Sequence, residues 1–188
     1  MPAATRVFPV LLALGAALFL VAGTAAIAQT PWPVATFVDK ENGVLFNYPA
    51  HFKPDPLYQG ATTMVGVTDS SMDKGDISFR FLTGEALLPR FDEGDADRFA
   101  QALRAQLAET LPRGKYLRSA PARLLAHPAA EVVYQYVVNR ASPRPLQLRL
   151  VGTVIEGKSY YLRCSYPVDL AAEYDSACDH IRDSARRP

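Results

Sequence analysis

Cys164 and Cys178 constrain this chain more than any other pair of residues, because they fall in two segments of different periodicity. Ser159 to Tyr166 (SYYLRCSY) puts Tyr160, Leu162, Cys164 and Tyr166 on one face of an extended strand by the two-residue period. From about Leu170 to Ala185, Tyr174, Ala177, Cys178 and Ile181 recur at the three-and-four spacing of a helix stripe. If the stripe packs on the strand face, the two cysteines meet. The expectation is one structural disulfide, with two buried free thiols as the alternative. Their separation is too wide for a C-x-x-C redox motif, and no second pair completes a zinc site. A bridge closing so short a loop contributes about 3 kcal/mol on chain-entropy grounds.

The remaining segments supply the sheet. Ala35 to Asp39 reads as a short strand, Glu41-Asn42-Gly43 as a tight hairpin turn, and Val44 to Tyr48 as the returning strand, ended by Pro49. His51 to Gly60 carries two closely spaced prolines and reads as irregular. Ala61 to Thr68 and Ile77 to Leu82 read as strands, the second half-buried, with Ile77, Phe79 and Phe81 facing a core. Between Asp95 and Leu111, Phe99, Leu103, Leu107 and Leu111 recur every four residues, giving a helix with a single apolar face. Acidic residues at its start suit the dipole, and Pro112 with Gly114 closes it. Three strands follow: Tyr116 to Leu125, interrupted at Pro121, then Ala130 to Val138, then Leu146 to Glu156, before the cysteine-bearing strand. Hairpin turns rather than strand-helix alternation mark an α+β domain with an antiparallel sheet and helices packed on it.

Residues 1–28 stand apart from this pattern: Arg6 precedes an apolar run ending in Ala26-Ile27-Ala28, a signal peptide with an A-x-A site. Cleavage predicts Gln29 as the first mature residue, residues 29–188 as a single domain, and a periplasmic or secreted location without stable membrane insertion. An uncleaved N-terminal membrane anchor is the alternative, since the run approaches the roughly 20 residues that span a bilayer. The whole chain has 20 Lys plus Arg against 19 Asp plus Glu, and removing Arg6 with the leader leaves the two equal. Such neutrality argues against nucleic acid as a partner held through net charge.

Catalytic and metal signatures are missing from the sequence. His51 in a loop, His127 in a turn before Pro128 and His180 on the polar side of the last helix lack a second ligand at metal spacing and read as surface histidines. Asp69, Asp73 and Asp76 lack the EF-hand order and read as a solvated turn. Ser70 and Ser71 have no nearby histidine, and there is no nucleophile elbow or phosphate-cradling glycine loop. The expectation is therefore no enzyme, no cofactor and no catalytic or metal residue. Tyr134, Tyr136, Tyr160, Tyr161 and Tyr166 lie on strands and read as sheet packing under a helix, with an aromatic binding face as the alternative.

Gly43 to Pro49 (GVLFNYP), the helix Asp95 to Leu111, the apolar strand around Val132 to Val138, and Glu156 to Pro167 (EGKSYYLRCSYP) with its closing helix together resemble a known superfamily. It groups the PsbP extrinsic proteins of photosystem II, periplasmic DcrB-type proteins and a nuclear Ran-binding protein. The chain has His51-Phe52 where members often carry a tryptophan, which sets it apart from the photosynthetic branch. The resemblance implies a PsbP-like α/β/α sandwich and a non-catalytic accessory role through an unidentified protein partner or envelope assembly, here as a monomer. It supplies no catalytic residues. The candidate partner-binding loop is the segment after the motif, with His51, Phe52, Lys53, Asp55 and Tyr58. A carrier of a small apolar ligand, held in a pocket between sheet and helix, is the second reading.

Overall fold

Period-two and period-3.6 apolar patterns sort this chain into strands and helices that share their faces. The computed structural model describes residues 32–40, 42–54, 63–69, 77–111, 113–137 and 144–187. Within them the order is β1 (Val34–Asp39), β2 (Val44–Pro49), β3 (Phe52–Pro54), β4 (Thr63–Asp69), β5 (Ser78–Glu85) and α1 (Ala96–Thr110). Then come β6 (Lys115–Leu124), β7 (His127–Val137), β8 (Pro145–Ile155), β9 (Lys158–Pro167) and α2 (Ala171–Ser184). Strands β3-β4-β5-β9-β8-β7-β6 form one sheet in that order, every neighbouring pair antiparallel, and β1-β2 form a separate hairpin.

Each face of the large sheet carries its own core. On one face Phe79, Phe81, Tyr160, Leu162 and Tyr166 meet Val44 and Phe46 of β2 and the α2 stripe Tyr174, Ala177, Cys178 and Ile181. On the other, Ala130, Val132, Leu148 and Tyr161 meet Phe99, Leu103 and Leu107 of α1. The sheet is thus sandwiched, and the five strand tyrosines are all buried, two in the α2-side core and three in the α1-side core. Cys164 of β9 is joined to Cys178 of α2, their Cα atoms 6.1 Å apart. The hairpin is tied to the end of α2 as well. The Asn47 N–H donates to Ser184 Oγ at 2.9 Å, and Leu45 and Arg186 exchange backbone hydrogen bonds.

Local chemistry explains the turns. Gly43 adopts φ +63°, the left-handed conformation its hairpin requires, while the Asp39 carboxylate accepts from the Asn42 backbone and side chain. The β6–β7 turn instead uses Leu125 and Ala126 at φ 53° and 66°, without glycine. The Leu125 side chain is buried in the α2-side core, and its packing offsets a backbone conformation that bulky residues avoid.

Three expectations are corrected. Pro121 does not interrupt its strand: it pairs with Ala130 inside β6, which is an edge strand where a missing N–H costs no ladder bond. Residues Phe52–Pro54 are not irregular but pair with Val67–Asp69 as β3, again at an edge. His127 starts β7 rather than occupying the turn, because Leu125 and Ala126 complete the reversal before it. β5 is half-buried: Phe79 and Phe81 sit in the α2-side core, while Arg80 and Leu82 on the α1 face are only half-covered.

Candidate functional site

Helix α1 is too narrow to cover its face of a seven-stranded sheet. Its apolar stripe packs on β6 and β7 and leaves the β8-β9-β5 part of that face open along the helix C-terminal half. The result is a cleft of about 570 Å³. Its floor is Leu82 of β5, Tyr161 of β9 and Leu148 and Leu150 of β8, and its helix wall is Leu107 and Leu111. Thr83, Glu85, Gln106, Thr110 and Arg163 place polar groups around this apolar lining.

The register fixes how these side chains line up. Leu82 stands across from Tyr161, and Arg163 stands between Leu150 on β8 and Arg80 on β5. Burial pushes the Tyr161 hydroxyl above the ordinary phenol range, with a hydrogen bond to Ser159 working against it, so it stays a neutral, partly apolar surface. Arg163 is half-buried and makes no hydrogen bond or ion pair among the described residues.

The opposite face holds a second polar cluster of different character. Arg149, 4% exposed, donates to the buried Glu131, to Asp175 and, at 2.7 Å, to Asp179 of α2. Burial opposes its charge, but the hydrogen bond to Asp179 and the charge of Glu131 outweigh it and hold the guanidinium above its ordinary value. The Tyr166 hydroxyl donates to Asp175, and Arg118 donates to the other oxygen of Glu131 at 2.9 Å. Burial and that bond to Asp175 raise the Tyr166 value, with Arg149 working against them. Every charge here is met by an opposite one, so the cluster clips α2 to the sheet and offers no open coordination or reactive group.

The sequence-derived candidate loop divides. His51 and Lys53 are exposed, whereas Phe52 is 3% exposed and stacks on Phe79 with ring centroids 5.1 Å apart. Phe52 is thus committed to the core and does not face a partner. Asp55 and Tyr58 lie outside the described residues, as do Ser70, Ser71, Asp73 and Asp76. His180 is not a plain surface histidine either: its Nε2 is buried without a hydrogen-bond partner. Burial lowers its proton affinity, with Asp183 acting the other way. Among the described residues no group of three or more His, Cys, Asp and Glu is arranged to hold a metal.

Reasoning from sequence did not name the cleft residues. One signal was there: Arg163 and Arg149 are charges in the middle of strands otherwise dominated by uncharged residues. Pattern alone could not tell which of them has a counter-charge.

No family model matches the chain, and no curated protein matches it in sequence. Solved structures do share its architecture. Cyanobacterial PsbP (CyanoP) from Synechocystis superposes with a TM-score of 0.61 at 14% identity, over 89% of this chain and 99% of that one. The fold is PsbP-like. Two further structures carry the same PsbP-like arrangement. LpqN, involved in cell envelope biogenesis of Mycobacterium tuberculosis, matches with a TM-score of 0.55 at 14% identity, over 86% of this chain and 88% of that one. The Saccharomyces cerevisiae Ran-binding protein Mog1p gives 0.56 at 10% identity, over 83% of this chain and 96% of that one. At such identities the likeness is one of fold.

Proposed function

We propose that the chain is an exported, non-catalytic binding protein, cleaved after Ala28, that holds a small apolar ligand in the cleft between α1 and the sheet. The cleft itself carries this reading. Its volume of about 570 Å³ falls among small-molecule sites, which span about 300–1,000 Å³, and leucines with a few placed polar groups are their usual lining. Export is supported by the Cys164–Cys178 bond, of a kind that persists in oxidising compartments, and by the A-x-A site. No helix among the described residues is long and apolar enough to cross a membrane. A binding role also suits a fold shared with a Ran-binding protein and a protein of envelope biogenesis.

Protein beginning at Gln29 should take up N-phenyl-1-naphthylamine saturably at one site, and Leu82→Trp, which fills the cleft, should abolish that uptake without loss of the folded circular dichroism spectrum. No saturable uptake, or uptake unchanged in Leu82→Trp, would overturn the assignment. The N-terminal sequence of the exported protein should begin at Gln29; an intact leader there would support an anchor instead.

A second reading is a protein partner engaging the segment that carries His51 and Lys53, favoured by their exposure beside the core-anchored Phe52. In-cell cross-linking with mass spectrometry should then recover one specific partner through Lys53. Repeated recovery of the protein alone would count against it.

A further inference from the structure

Two arginines on neighbouring strands occupy opposite faces of the sheet interior and are treated differently by the fold. Arg149 on the α2 face is surrounded by Glu131, Asp175 and Asp179. Arg163, on the α1 face, lines the cleft with no hydrogen bond or ion pair among the described residues. Directly across from it on β5 stands Arg80, which is already engaged in an interaction of its own. Like charges directly opposite each other on adjacent strands destabilise a sheet. Arg80 has its own interaction, so Arg163 is the cation of the two that no described residue answers, and an anion between the helix and β9 would supply its partner. A guanidinium presents a planar fork that matches a carboxylate with two parallel hydrogen bonds.

Negative features of the cleft lie elsewhere or are already compensated. Glu85 is exposed, stands across from Lys158, and sits five residues along β5 from Arg80, about 17 Å away by the strand rise. The C-terminal turn of α1 presents the negative end of its dipole, but Leu107 O accepts from the Leu111 N–H and the Thr110 hydroxyl, which also reaches Gln106 O. Between Arg163 and Glu85 the floor is apolar and open. Leu82 and Tyr161 face each other, and Gly84 adds no side chain. From Arg163 to Glu85 the cleft is thus a track that starts at a cation, crosses Tyr161 and Leu82 and ends at an exposed rim.

We infer that the cleft takes a single-chain amphiphile of the fatty-acid class, its carboxylate held by Arg163 beside Leu150 and its alkyl chain laid over Tyr161 and Leu82 towards Glu85. This rests on the cleft being the binding site and specifies its ligand. Arg163 is the specificity determinant and the leucines supply most of the contact area.

Displacement of bound naphthylamine dye by dodecanoate, dodecanol and dodecyltrimethylammonium separates the two levels of the claim. In the wild-type protein dodecanoate should compete at least about tenfold better than dodecanol, as a charge-assisted pair gives, with the ammonium weakest. Arg163→Met should bring dodecanoate level with dodecanol while the dye still binds, and Arg163→Lys should keep part of the preference. Equal competition by dodecanoate and dodecanol in the wild type, or a preference that survives Arg163→Met, overturns the role of Arg163 and leaves the cleft as the site. Absence of dye uptake in the wild type overturns both.

Discussion

The Phe99 ring of α1 lies directly on Gly152 of β8, so close that a β-carbon at 152 would stand 2.7 Å from one of its ring carbons and 2.8 Å from the Tyr161 ring. Glycine here lets helix and sheet approach. Gly152→Ala should destabilise the protein by about 1–3 kcal/mol through overpacking. Urea unfolding measures it, and a neutral result would show that the two rings can shift freely.

Arg149 should be costly to remove and cheap to replace together with its partner. Arg149→Met leaves Glu131, 5% exposed, as a buried carboxylate facing only the partly exposed Arg118, and should cost about 3–5 kcal/mol. The double variant Arg149→Met/Glu131→Leu should recover much of that loss. Asp179→Asn, at a half-exposed site, should cost no more than about 1 kcal/mol. Equilibrium unfolding of the three variants tests the order.

Both sulfurs of the Cys164–Cys178 bond are fully buried. Reductant should therefore act only once denaturant opens the structure, and unfolding under reducing conditions should show a stability lower by about 3 kcal/mol. Thiol labelling during a urea titration gives both readings. Rapid reduction of the native protein would place the bond nearer solvent than described.

His180 gives a pH dependence of defined sign. Burial depresses its folded value below that of the unfolded chain, so the unfolded chain takes up the proton first as pH falls. The stability linked to this group is fully present above the unfolded value of about 6.5 and is lost as pH drops through the lower folded value. His180→Gln should accordingly lose less Tm than the wild type between about pH 7.5 and about pH 5. Parallel pH curves for the two proteins would remove His180 as the cause.

Much of the fold was legible because its signals are local. The four-residue recurrence of Phe99, Leu103 and Leu107 depends only on helix geometry and places α1 within a residue of its ends. Tyr160, Leu162, Cys164 and Tyr166 alternate by the pleat, Tyr174, Ala177, Cys178 and Ile181 follow the helix period, and all eight share one core. Pro121 was misread for a reason of the same kind. Its effect depends on whether the strand is at an edge, and sheet order is not encoded in any short window. Phe52 looked available beside His51 and Lys53 because sequence could not show Phe79 and Tyr174 beneath it.

Sequence by itself determined most of the elements, the hairpin turn at Gly43 and the faces that bring the two cysteines together, since periodicity and turn chemistry act over a few residues. Only the tertiary structure decided where α1 stops covering the sheet, and so where a cleft opens. It alone separated Arg149, ringed by Glu131, Asp175 and Asp179, from Arg163, which faces that cleft without a counter-charge among the described residues. The physical reason is that cavities and charge compensation are properties of side chains brought together from distant segments, and a single strand pattern reads the same with or without them.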